Sequence, residues 1–246
     1  MKNFISRQKL RKALIIFSFV LLPATFAYIS CPIIIEAASK GIASGGLIVF
    51  ILIFLSSLFV GRLWCGWLCP GGGLQEIYSQ INNKPVKAAR LNWFKYLAFT
   101  VIILVPLISA MHSAGGIKSI DLFYGTENGI SIAKAGAYTI FFVQIAFFTA
   151  FALLAGKQGF CHYFCPIAVI MILGRKVRNM LAWPALHLSA EKDRCSDCMS
   201  CSKNCPMSLD VNIMVREQKM EDSECILCGC CVDVCPKRAI RYSLLG

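Results

Sequence analysis

Acidic side chains are scarce in this sequence: 13 Asp and Glu stand against 25 Lys and Arg in 246 residues. Charged residues of both signs reach only 15%, while hydrophobic ones reach 57%, too many for an ordinary soluble domain. No G-x-G-x-x-G fingerprint is present, so any dinucleotide chemistry would have to sit on a partner. Gly71-Gly72-Gly73 is no phosphate loop, because the Gly-Lys-Ser/Thr ending is missing. The three histidines form no Cys-x2-Cys-His haem attachment motif and no pair in the apolar runs suited to haem b. The basic residues flank apolar runs instead of forming one stripe, which argues against nucleic acid as a partner.

Cysteine, by contrast, is abundant, with 14 residues. Eight of them form two copies of one pattern, Cys195-x2-Cys198-x2-Cys201-x3-Cys205-Pro206 and Cys225-x2-Cys228-x2-Cys231-x3-Cys235-Pro236. This is the bacterial ferredoxin run, in which three close cysteines hold one [4Fe–4S] cube and the fourth crosses to the other. The crossing assigns Cys195, Cys198, Cys201 and Cys235 to one cluster, and Cys225, Cys228, Cys231 and Cys205 to the second. Disulfides fit poorly with such tight runs in a cytoplasmic segment. Structural zinc usually shows paired knuckles separated by a dozen or more residues. Cys230 falls between two ligands, where the spacing calls for a packing residue.

Charge divides the chain. Residues 1–186 carry 17 Lys/Arg and 4 Asp/Glu, whereas residues 187–246 carry 8 and 9. A basic membrane domain (1–182) and a near-neutral iron–sulfur domain (183–246) are expected. Four apolar segments, 13–35, 42–61, 94–111 and 135–156, approach the ~20 residues needed to cross ~30 Å of hydrocarbon. Pro23 and Pro106 interrupt two of them, as membrane helices tolerate. Fourteen of the 17 basic residues fall on one side of these segments, leaving Lys40, Lys118 and Lys134 on the other. The positive-inside rule then puts both termini and the tail in the cytoplasm. No small-residue cleavage site follows the first segment, so it is read as a retained helix, with Cys31 alone on the outer side.

The membrane part repeats itself. Arg62-Leu63-Trp64-Cys65-Gly66-Trp67-Leu68-Cys69-Pro70 follows the second apolar segment, and Gly159-Phe160-Cys161-His162-Tyr163-Phe164-Cys165-Pro166 follows the fourth. Two parallel copies suggest a pseudo-two-fold axis along the membrane normal. Proline after Cys69 and Cys165 suits the first turn of a helix, making both cysteines N-cap residues whose thiolates the helix dipole would favour. Two readings fit: Cys65, Cys69, Cys161 and Cys165 share a third iron–sulfur cluster, or they are structural or redox-active thiols without metal. Trp64, Trp67, Phe160, Tyr163 and Phe164 read as interfacial aromatics, His162 as interfacial, and Arg62 as a marker of the membrane boundary. Residues 166–182 read as a helix lying at the interface, and 183–194 as a linker.

Spans, paired aromatic-Cys-x3-Cys-Pro motifs and a C-terminal two-cluster run together resemble the membrane polyferredoxins, in particular the quinol-dehydrogenase membrane subunit of periplasmic nitrate reductase systems. The resemblance covers residues 13–240. It implies an all-α membrane domain of four transmembrane helices in two hairpins, followed by an α+β two-cluster ferredoxin domain. It also implies a multi-pass protein of a bacterial or archaeal cytoplasmic membrane. Its clusters would pass electrons between a quinone pool or cytoplasmic donor and a partner redox enzyme such as a periplasmic reductase. No catalytic residue is identified, and a quinone pocket would lie between helices near His112 or Gln144. The alternative is an assembly factor that reduces a metal or thiol of a client complex; a redox sensor or anchor without steady-state flux is a third reading.

Overall fold

A computed structural model describes residues 2–79, 81–86, 92–133 and 136–244 of the chain. Lys87, Arg90 and Lys134, counted in the charge asymmetry, lie outside the described residues. The first apolar run is not one straight helix. Helix α1 (Lys2–Val20) gives way after Leu21 to α2 (Leu22–Ile29), which is bent 80° away from it. Pro23 lies in the first turn of α2, where its missing N–H has no partner to lose. Ser30 is extended and breaks the chain again before α3 (Cys31–Ser39), whose first turn carries Pro32.

Strand β1 (Ile42–Ser44) pairs in parallel with β2 (Ser119–Asp121), Ile42 opposite Ser119, a small departure from the all-α expectation. Helix α4 (Gly45–Val60) has 16 residues, fewer than the ~20 of a straight crossing. Two five-to-nine-residue helices follow, α5 (Leu63–Trp67) and α6 (Pro70–Tyr78). Helices α7 (Phe94–Phe99) and α8 (Val105–Ser113) join through a π-helical turn at Thr100–Leu104. Pro106 explains that turn, since a residue without an N–H leaves the preceding carbonyls to widen their pattern. Helix α9 (Ala137–Ala155) completes the long elements. Among the described residues, Phe94–Ser113 and Ala137–Ala155 are the two helices long and apolar enough to cross a membrane. Their flanks are bare of protein, with Val101, Ile108, Phe142 and Val143 all exposed, as a lipid-facing surface requires.

The repeat is visible in the backbone. Both α4 and α9 end at a glycine, Gly61 and Gly156, each with positive φ. A five-residue helix follows in each half, α5 and α10 (Gly159–Tyr163), and then a proline-initiated helix, α6 and α11 (Pro166–Met180). The helix expected over 166–182 is α11, which packs along α4 and seals Ala168, Met171 and Ile172 completely or nearly so. Gly174 permits this approach, for a Cβ there would stand 1.8 Å from Ser57 Oγ.

In the tail, β3 (His187–Ala190) pairs antiparallel with β4 (Ile240–Ser243) and brackets three short helices, α12 (Ser200–Lys203), α13 (Val211–Arg216) and α14 (Cys230–Val234). One hydrophobic core runs through both parts of the chain, uniting Phe160, Ile167 and Met171 with Leu188, Met207 and Leu227. Each such side chain contributes ~1.5–3 kcal/mol on burial, so the tail is docked and not merely tethered. Polar contacts reinforce the docking. Trp67 Nε1 donates to Leu227 O at 3.2 Å, and Leu186 N donates to Phe59 O at 2.9 Å. A Cβ on Gly66 would lie 2.4 Å from Ile226 O, so only glycine allows the first Cys-x3-Cys turn to sit on the tail. Near the N-terminus, Arg7 pairs with Asp233, and Gln8 Nε2 donates to Cys228 O at 3.1 Å and Asp233 Oδ2 at 2.6 Å.

Candidate metal centres

Among the described residues no three His, Cys, Asp or Glu side chains converge on a single-ion centre. The thiols instead ring cavities, and none is in a disulfide. Cys195, Cys198, Cys201 and Cys235 line one cavity, walled otherwise by Met199, Val215 and Ile240. Cys205, Cys225, Cys228 and Cys231 line a second, walled by Leu188, Met214 and Ile226. The tail therefore places each fourth cysteine beside the other run's first three. Four sulfurs around one apolar hollow, with N–H groups aimed at sulfur, is a donor set that fits a thiolate-ligated iron–sulfur cube. Ala239 N donates to Cys235 Sγ at 3.3 Å, Asn212 Nδ2 lies 3.8 Å from Cys195 Sγ, and the amides of Met207 and Leu209 point at Cys205.

The backbone is bent to make these rings. In the first run Asp197 and Met199 have left-handed φ of 52° and 58°; in the second, Leu227 and Gly229 occupy the same two positions at 51° and 76°. Non-glycine residues held there cost ~1–3 kcal/mol each, a strain that clusters at functional sites. Gly229 has a second reason to be glycine, because its Cβ would meet Tyr242 Oη at 2.5 Å. That hydroxyl donates to Leu227 O at 2.8 Å and braces the second run.

The four membrane-side thiols, Cys65, Cys69, Cys161 and Cys165, are all buried and brought together by the two repeat turns. Cys69 and Cys165 stand at the N-caps of α6 and α11, where the amides of Gly71 and Gly72, and of Ile167 and Ala168, point at their sulfurs. Gln75, itself buried, donates from Nε2 to Cys161 Sγ at 3.1 Å while its Oε1 accepts from Phe160 N at 3.1 Å. Cys65 Sγ lies 3.4 Å from Met171 Sδ. Sulfurs at helix N-termini with dedicated donors again fit thiolate ligation.

Three readings of single residues are corrected. Cys31 is not alone on an outer face: the bend at Leu21 leaves it lining one cavity with Cys69, Cys161 and Cys165. Arg62 is no boundary marker and His162 no interfacial side chain, since both are wholly enclosed. Arg62 Nη1 donates to Ser223 O at 2.8 Å and to Glu224 Oε2 at 3.1 Å, and Lys95, also enclosed, pairs with the other carboxylate oxygen. Burial works against the Arg62 charge, but Cys65, Glu224 and Cys161 outweigh it and hold the guanidinium protonated. Burial likewise pushes the Glu224 carboxyl up, yet Arg62 and Lys95 prevail and keep it below its usual range. Burial lowers His162 to about 4, so its Nδ1, 3.9 Å from Glu224, belongs to a neutral ring and forms no ion pair. Its Nε2 lies 3.1 Å from Met207 O, near Cys205. Sequence reasoning missed Gln75 and Glu224; their only signal was a polar residue within six positions of a cysteine motif. Cys230 is half-buried, 3.3 Å from Gln8 Oε1. An apolar cavity beside the membrane thiols is lined by Gln144, Phe148 and Phe160, whereas His112 is exposed.

A family model described as a 4Fe-4S binding domain matches residues 43–87 and 137–182, the two repeat halves. A second, described as a 4Fe-4S dicluster domain, matches residues 187–236. The chain is 28% identical to the uncharacterized protein MJ0750 of Methanocaldococcus jannaschii over 251 residues, covering 96% of this chain and 94% of the relative. It is 27% identical to the putative electron transport protein YccM of Escherichia coli, over 77% of this chain and 52% of that protein. It is 22% identical to the ferredoxin-type protein NapH of Escherichia coli, over 78% of this chain and 64% of that protein. No solved structure matches. Cavities ringed by four thiols, a repeated helix–turn–helix thiol site and these matches have one account: the chain carries 4Fe-4S binding domains, and its homologues are ferredoxin-type proteins of the NapH-like polyferredoxin family.

Proposed function

We propose that this protein is a membrane-bound electron carrier with three [4Fe–4S] centres, passing electrons between a quinone pool or a cytoplasmic donor and a partner redox enzyme. Two centres would be held by the tail, one by Cys195, Cys198, Cys201 and Cys235 and the other by Cys205, Cys225, Cys228 and Cys231. The third would be held by Cys65, Cys69, Cys161 and Cys165. When bound, such clusters supply one-electron chemistry over a range of about −700 to +450 mV. The observation that carries the reading is contact between sites. The Cys65-Gly66-Trp67 turn rests on Ile226 and Leu227, inside the second ferredoxin run, with no solvent layer between. A chain built only to store or sense redox state would have no need to seat one thiol ring upon another.

The protein's own residues do the rest. Apolar walls around the second tail hollow and the Cys69/Cys161/Cys165 cavity exclude water, which raises the effect of every nearby dipole and charge on the bound group, whereas the first tail hollow is open at Cys198. Asn212, Gln75 and the capping amides supply N–H donors that stabilise charge on sulfur. A domain of residues 1–182 would carry the membrane centre in four crossings, the bent α1–α2 and the short α4 joining the two long helices. Residues 183–246 and both termini would face the cytoplasm of a bacterial or archaeal cell, as the basic residues of the inner loops favour. A quinone would find its place in the apolar cavity at Gln144, beside the membrane thiols.

Iron and acid-labile sulfide, measured per chain on protein purified without oxygen, test the reading. About twelve irons are expected, falling to about eight in a Cys65→Ser/Cys161→Ser variant. About eight in the unaltered protein would remove the third centre, and zinc in place of iron would end the redox reading. Oxidation of the reduced centres by quinone in vesicles would distinguish a carrier from an assembly factor, which only a client metal or thiol would oxidise.

A further inference from the structure

Arg62 is spent on one side and free on the other. Its Nη1 is committed to Ser223 O and to Glu224, next to Cys225 of the tail. Its Nε and Nη2 meet no acceptor, although the side chain is wholly enclosed. Enclosed N–H groups are costly to leave unmatched, and a guanidinium presents its donors in a fixed plane. Cys65 lies within hydrogen-bonding reach of the Arg62 side chain, and Cys65 and Cys161 count with Glu224 as the anionic neighbours that hold its charge. Charge counting points the same way. Two enclosed cations, Arg62 and Lys95, share one carboxylate, which leaves one positive charge to be matched by anionic sulfur.

We propose that Arg62 is the positioning residue that sets the potential of the centre at Cys65, Cys69, Cys161 and Cys165, while its Nη1 grip on Ser223 and Glu224 fixes that centre against the neighbouring ferredoxin run. The proposal rests on the three-centre reading above. An electron arriving at those sulfurs adds negative charge beside a fixed cation, so Arg62 makes reduction easier. Glu224 partly cancels the cation and makes it harder. Removing the two residues must therefore move the potential in opposite directions, an outcome that loose packing alone would not produce.

The test is an EPR-monitored redox titration of the intact, detergent-purified protein and of Arg62→Lys, Arg62→Gln and Glu224→Gln, each with its iron count. The unaltered protein should hold about twelve irons. R62Q should shift one centre to lower potential, R62K should restore most of that shift, and E224Q should move the same centre upward. Should R62Q lose about four irons while R62K keeps them, the need for a cation at the sulfurs is equally supported. Twelve irons with an unmoved potential in R62Q, equal shifts of one sign in R62Q and E224Q, or the same loss in R62K as in R62Q would each overturn the role of Arg62. About eight irons in the unaltered protein would instead overturn the three-centre reading, and this proposal with it.

Discussion

Glu224 is a single carboxylate, nearly sealed, between two sealed cations, and its removal should be among the costliest changes in the chain. Replacing a buried ion pair wholesale by apolar residues is often neutral, whereas deleting one partner costs ~3–5 kcal/mol because the other charge stays behind. Glu224→Ala takes away the one carboxylate that Arg62 and Lys95 share, so that range applies. With ~1.4 kcal/mol to each factor of ten, local opening of the surrounding segment becomes ~100- to 3,000-fold more frequent. Hydrogen–deuterium exchange by mass spectrometry, on detergent-solubilised protein at neutral pH, reads this directly over residues 211–231. The informative control is the double variant Lys95→Met, Glu224→Leu, which keeps Arg62 for the sulfurs, carries no stranded charge and should exchange within about tenfold of the parent. Acceleration below about threefold in E224A, or a double variant as labile as the single one, would refute the reasoning.

Two further outcomes follow from the geometry. Gly66→Ala places a Cβ 2.4 Å from Ile226 O and should cost ~1–3 kcal/mol, seen as earlier loss of cluster absorbance in denaturant. Gly71→Ala, whose nearest neighbour would be Cys69 Sγ at 3.8 Å, should be close to neutral, and equal effects would sink the argument. Cys235→Ser should damage the centre it shares with Cys198: adding Cys198→Ser should remove no more iron, while adding Cys228→Ser should remove about four more. The reverse pattern would show that the fourth cysteines do not cross.

The grouping of the tail cysteines was legible because ligand spacing is local chemistry. Three members of each ring lie within seven residues, and the fourth is announced by the proline behind it. The N-cap placement of Cys69 and Cys165 was legible for the same reason, since a proline at the first helical position is a local steric fact. What escaped the sequence is long-range. Arg62 and Glu224 stand 162 residues apart, and no pattern around either tells which charge will find the other. The approach of Cys31 to Cys165 depends on an 80° bend, and a proline announces an interruption without giving its angle. The packing of 166–182 on α4 was also out of sight, because an amphipathic stripe fits a headgroup layer and a neighbouring helix equally well.

The contacts of Arg7 and Gln8 with Cys228 and Asp233 have a bearing on how the molecule is made. The partners are separated by 220 to 226 positions, so a stretch that leaves the ribosome early waits for one translated more than two hundred residues later. Chains emerge at about 5–20 residues per second, which leaves α1 without its final docking surface for many seconds. Cys228 is also a cavity-lining thiol, so the carbonyl that receives Gln8 takes its final position only when that loop is shaped around its contents. Cofactor loading and the docking of α1 thus become one late event.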